Sequence, residues 1–175
     1  KEKLFGKDYQ LTKVKDLSQP GQFVCKERVT VVGPKGILNN VVILGPERKE
    51  TQVEVSLTDA VSLGVKAPVR ESGDLLGTPP ITLKVGNQEA HLSKGLIVAK
   101  RHIHMVPKDA ERFGLKDREI VQVQVFGNRP LIFDDVVVRV SEHYCTFMHI
   151  DYDEANACGF KKGTLARIIK KVPKG

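Results

Sequence analysis

Residues 37–64, moved forward by 95 positions, fall on residues 132–159 without a gap, and no other feature of the chain limits its fold as strongly. Ile37 meets Ile132, Asn39-Asn40 meet Asp134-Asp135, Val41-Val42-Ile43 meet Val136-Val137-Val138, Thr51 meets Thr146, Asp59-Ala60 meet Glu154-Ala155, and Gly64 meets Gly159. An unbroken register with a matched apolar pattern predicts two copies of one unit. The same register sets Glu54 on His149.

Apolar residues at period 2 identify what is repeated. Val29 and Val31, Val53 and Val55, Ile81 with Leu83 and Val85, Val121 with Val123 and Val125, and Val138 with Val140 alternate within β-branched segments, which is the pattern of strands. Turn dipeptides separate them at Gly33-Pro34, Gly45-Pro46, Gly86-Asn87 and Gly127-Asn128. Helical signals are short, at about 58–63, 107–113 and 152–157. The expectation is a mainly β protein capped by short helices, with 175 residues enough for two small units. Residues 1–70 would form the first copy, 71–94 a connection and hairpin, and 95–175 the second copy. Phe113-Gly114 of the second copy matches Phe5-Gly6 of the first, so the counterpart of the segment 101–105 would fall a few residues before Lys1.

Charge and cysteine content bound the function. Lysine and arginine number 28 against 21 acidic residues, a net charge of +7, which suggests an anionic partner. The basic residues are spread along the chain without interleaved aromatics, a distribution that favours a phosphate-bearing ligand over nucleic acid. No apolar run approaches the roughly 18 residues of a membrane span, and the opening residues, without an apolar stretch, lead to no expectation of export. Cys25, Cys145 and Cys158 form no CxxC pair and read as reduced thiols of a cytoplasmic protein.

The chemistry concentrates in Arg101-His102-Ile103-His104-Met105. Side chains alternate along a strand, so His102 and His104 share a face, with Cα atoms about 7 Å apart. Two imidazoles so placed can share one first-row metal ion. His149, on a later strand, is the candidate third ligand, and three histidines with an open position describe a catalytic zinc site better than a closed structural one. His91 and His143 have no partner at ligand spacing. Because the repeat sets Glu54 where the second copy has His149, a second metal is expected at Glu54, completed by an upstream histidine pair. These 175 residues would then complete the His102/His104/His149 site and hold about one zinc tightly. Arg48 lies six residues before Glu54 in a loop, and its guanidinium suits bidentate binding of phosphate.

RHIHM at 101–105, MHID at 148–151 with EANA at 154–157, the segment ending ETQVE at Glu54, SLTDA at 56–60 and RESGDLLGTP at 70–79 together resemble the phosphate acyltransferases of the phosphate propanoyltransferase family. The similarity spans essentially the whole chain. It implies two related β-barrels and a reaction that interconverts acyl-CoA plus phosphate with acyl phosphate plus CoA at a two-zinc site. His102, His104 and His149 would hold one zinc, Glu54 would belong to the other, and Arg48 would bind phosphate and act in catalysis. Lys35 and Asn156 match positions expected to contact CoA. The acyl group is left open between propionyl and acetyl. Homo-oligomers and microcompartment shell or core proteins are further partners the resemblance admits, in the cytoplasm or inside a bacterial microcompartment. Neither nucleic acid nor membrane is expected.

Two other readings compete. An HxH pair with a distant histidine also describes a cupin-like non-haem oxygenase, whose additional carboxylate would have to be Glu111, within a predicted helix. A basic β-barrel that binds nucleic acid would leave the HxH pair and Glu54 without a task.

Overall fold

The computed structural model describes residues 1–170; the last five residues of the predicted second copy, 171–175, lie outside them. Among the described residues the chain is mainly β with four short helices, and it divides into two compact units, Lys1–Ala99 and Lys100–Gly175.

In the first unit, α1 (Glu2–Phe5) is followed by β1 (Lys13–Asp16), β2 (Phe23–Val32), β3 (Ile37–Gly45), β4 (Val53–Glu54), α2 (Leu57–Leu63), β5 (Val69–Arg70), β6 (Ile81–Val85), β7 (Gln88–Leu92) and β8 (Leu96–Ala99). The long β2 is the spine: β3 pairs along one side, and β1 and β6 share the other, with β7 beyond β6. A separate three-stranded sheet sets β8 between β4 and β5, all parallel. Val29, Val31, Val53, Leu63, Leu83, Leu96 and Val98 are at most 7% exposed and make this unit's core, where each such side chain contributes about 1.5–3 kcal/mol.

The second unit contains β9 (His102–Met105), α3 (Pro107–Phe113), β10 (Ile120–Val125), β11 (Leu131–Val140), β12 (Phe147–His149), α4 (Tyr152–Cys158) and β13 (Ala166–Lys170). Its strands form one sheet in the order β12-β9-β11-β10-β13. Alternation in the sequence becomes burial in the fold: Val121, Val123 and Val125 point into the core, while Gln122 and Gln124 are half-buried. Ile103, Met105, Val136, Val138 and Cys158 complete that core. Among the described residues the second unit's five strands follow one path, whereas the first unit's ladder branches at β2, where β3 joins.

Seven-residue helices are too short to persist alone, so their ends and their packing hold them. The Ser56 hydroxyl accepts the Asp59 N–H at 3.0 Å to start α2, and the Asp151 carboxylate accepts the Glu154 N–H at 2.9 Å to start α4. Glu154 also accepts the Asp151 N–H, closing a capping box. α2 and α4 end at the matched Gly64 and Gly159, both left-handed.

Correspondence between matched positions extends to the backbone. Asn40 and Asp135 both take positive φ, 59° and 54°. In the preceding hairpins, where the two copies are offset by 94 positions instead of 95, the Lys35 N–H donates to the Leu63 carbonyl at 3.0 Å, and the Arg129 N–H to the Cys158 carbonyl at 3.1 Å. A Cβ built on Gly33 would lie 2.4 Å from the Leu63 carbonyl oxygen, and one on Gly127 would lie 2.1 Å from that of Cys158. The tight approach of each hairpin to its helix end therefore requires glycine. Gly127→Ala is expected to destabilise the protein by about 1–3 kcal/mol, read from the denaturant midpoint, since the backbone carbonyl it meets cannot swing aside. An unchanged midpoint would mean that the hairpin shifts freely. The correspondence stops at strand pairing: β4 runs parallel to β8, whereas β12 runs antiparallel to β9.

Candidate metal centre

β9 lies between two strands, and its register assembles the centre. Against β12 it pairs antiparallel, with His149 opposite His102 and Phe147 opposite His104. Directly opposed residues point to the same face, so His149 joins the face already set by the HxH alternation. Ile103, between the two histidines, faces the core at 4% exposure and fixes which way the pair points. The imidazole nitrogens of His102, His104 and His149 lie within 4.8 Å of one another, within reach of one ion. No other group of three or more potential ligands meets in this way among the described residues.

Hydrogen bonding prepares the rings. The His102 Nδ1–H donates to the Lys100 carbonyl at 2.8 Å, leaving Nε2 with a free lone pair. His104 is 8% exposed and stacks on Tyr144 at 4.2 Å, and its buried Nδ1 has no hydrogen-bond partner. A buried imidazole nitrogen left unsatisfied is costly in a folded protein, and a bound cation removes that cost. The donor set therefore fits a borderline metal such as zinc.

Burial, reinforced by His102, His149 and Arg139, holds the His104 imidazole far below its ordinary value, at about 3. Burial, with His102 adding to it, holds His149 at about 4. Both rings are neutral at pH 7 and available as ligands. An unfolded histidine takes up its proton near 6.5, so between about 6.5 and about 4 the unfolded chain binds more protons than the folded one, and stability falls as pH falls through that window. Metal-free protein is expected to lose melting temperature on acidification from pH 6.5 to 4, with a flatter profile for His104→Gln. Identical profiles for the two proteins would refute this account.

Arg101, which opens RHIHM, ties the ligand strand to the helix after His149. Its Nε donates to the Glu154 carboxylate, its Nη1 to the Asp134 carbonyl at 2.9 Å, and its guanidinium lies 5.0 Å from the Phe133 ring centre. Glu154 thereby serves the capping box and the ion pair together.

In the first unit, Arg48 and Glu54 join one hydrogen-bonded network. Arg48 Nη1 donates to Ser72 Oγ at 2.8 Å, and Gln52 Nε2 donates to Ser72 Oγ at 3.0 Å and to Glu54 Oε1 at 2.6 Å. The Gly73 N–H donates to Gln52 Oε1 at 2.7 Å. Arg48, Gln52 and Gly73 line a cavity of about 200 Å³ together with Lys49, Glu50 and Leu75. Lys35 is exposed, and its stem lies across Gly64 at the end of α2; Asn156 is exposed on α4. Glu111, the carboxylate an oxygenase would need, sits within α3. Arg139, Tyr144, Gln52 and Ser72 are brought to these sites by the fold rather than by a motif of the metal or phosphate kind. Only the last two carried a signal, as members of the ETQVE and RESGD motifs.

A family model described as phosphate propanoyltransferase matches residues 1–161. Among curated proteins the chain is 65% identical over 170 residues to the phosphate propanoyltransferase of Clostridioides difficile (strain 630), covering 97% of this chain and 81% of that protein. It is 66% identical over 168 residues to that of Listeria monocytogenes, covering 96% and 79%. To that of Thermotoga maritima it is 57% identical over 170 residues, covering 97% and 81%.

Proposed function

The chain belongs to the phosphate propanoyltransferase family, an acyltransferase working between acyl-CoA and phosphate, and from that premise we propose that it transfers a short acyl group, propionyl or acetyl, at a two-zinc centre. The observation that carries the metal part of this reading is the meeting of His102 and His104 with His149, from strands more than forty residues apart, around an unsatisfied buried nitrogen. These three would hold one zinc, and Glu54 would be among the ligands of the other. The matched caps, hairpin approaches and positive-φ positions support reading the two units as barrel-type copies of one ancestor.

Zinc, when bound, supplies Lewis acidity for carbonyl and phosphate oxygens. The remaining work falls to side chains. Arg48 would bind phosphate through its guanidinium fork and neutralise charge as a phosphate oxygen attacks the thioester carbonyl. The new C–O bond forms, the C–S bond breaks, and CoA leaves as the thiolate. Ser72 and Gln52 orient Arg48 and Glu54 through the bonds described, so the two residues are held as a pair. Transfer would be direct: Cys25 and Cys158 are buried, and Cys145 stands in no nucleophile motif. Lys35 and Asn156 would contact CoA.

The test is phosphate-dependent release of free thiol from propionyl-CoA or acetyl-CoA by the zinc-loaded protein, with acyl phosphate as co-product. Thiol release indifferent to phosphate would overturn the reading, and oxygen consumption in its place would favour the oxygenase.

A further inference from the structure

β11 flanks β9 on the side away from β12 and runs parallel to it, with Val137 against His102 and Arg139 against His104. Arg139 thus shares the face that the histidines occupy. It is half-buried on a strand whose preceding residues, Val136, Val137 and Val138, are at most 4% exposed. It takes part in none of the ion pairs found among the described residues. Its Cα is paired in register with that of His104, one of the three clustered imidazoles. A permanent cation beside a cluster suited to a second cation is adverse unless an anion lies between them. The geometry therefore calls for a negatively charged ligand at this face.

We propose that Arg139 binds the phosphate that is transferred, its guanidinium donating to phosphate oxygens at the His102/His104/His149 centre. The proposal rests on the function argued above and adds to it a second arginine, in the second unit. Guanidinium matches two phosphate oxygens at once, and it is less strongly hydrated than an ammonium, which suits a half-buried position. Two other tasks are chemically open to this residue and are separated by the test: holding the phosphates of CoA, or only tuning the metal ligands.

The experiment compares zinc-loaded parent, Arg139→Gln and Arg139→Lys. Equilibrium binding of inorganic phosphate is followed by calorimetry, zinc content is measured in each protein, and KM is determined separately for phosphate and for CoA. Arg139→Gln is expected to weaken phosphate binding about ten- to hundredfold, the range that follows from losing charge-assisted hydrogen bonds. Arg139→Lys should recover part of it, with zinc content and the KM for CoA unchanged. Phosphate affinity within twofold of the parent in both variants would overturn the proposal, as would a shift confined to CoA or a loss of zinc without a loss of phosphate binding. Absence of phosphate-dependent thiol release in the parent would count against the proposed function alone, because direct phosphate binding still decides the role of Arg139.

Discussion

Replacing His102 or His149 with alanine is expected to remove one bound zinc per chain and to lower turnover by at least about a hundredfold, with the fold retained. The two halves of that expectation have separate physical origins. Each variant takes away one of three nitrogen donors that meet within 4.8 Å, and two remaining imidazoles hold a first-row ion far more weakly than three. Folding stability resides elsewhere, in Ile103, Met105, Val121, Val136 and Val138, all at most 4% exposed. His104 is the less clean target, because it is itself buried and stacked on Tyr144, so its truncation also leaves a cavity. Metal analysis with circular dichroism separates the effects. Zinc content equal to the parent in both variants would dismiss the histidine centre.

Arg48→Ala carries the second large effect. Loss of a charge-assisted contact to phosphate costs about 1.5–3 kcal/mol, which is a fall of about ten- to 150-fold in kcat/KM for phosphate. Arg48→Lys should lie between alanine and the parent, since it keeps the charge and loses the fork. The Ser72 hydroxyl that accepts from Arg48 at 2.8 Å predicts a smaller loss for Ser72→Ala, confined to orientation. Kinetics with phosphate varied at saturating acyl-CoA would dismiss the assignment if Arg48→Ala matched the parent in both kcat and KM.

Local chemistry explains which parts of this structure were legible in the sequence. The caps of α2 and α4 need only Ser56 or Asp151 at one end and Gly64 or Gly159 at the other, all within a few residues. Alternation marked β10, whose two faces differ, and HxH placed two histidines on one face without any knowledge of the neighbouring strands. β11 is different: Val136, Val137 and Val138 are buried in succession, so alternation cannot say which face Arg139 takes. That answer comes from a parallel register with a strand more than thirty residues earlier, and register between distant strands is a property of the sheet. Tyr144, in the loop before β12, and the Ser72–Gln52 link are likewise set by tertiary approach. The repeat foretold equivalent helix ends but not the pairing direction of β4 and β12, which depends on the strand each finds beside it.

The three ligands are unequally anchored. His102 and His104 sit on β9, paired on both sides, whereas His149 ends β12, a three-residue strand at the margin of its sheet. A margin so short opens by local fraying at little free-energy cost, long before the unit unfolds. A metal held by these three residues would enter and leave as His149 closes on the pair fixed in β9, and the ion would act as a clasp on that margin. Amide hydrogen exchange at residues 147–149 should slow on zinc binding while exchange within β10 and β11 stays as it was. The lifetime of a bound ion would then be governed by how often a three-residue strand lets go.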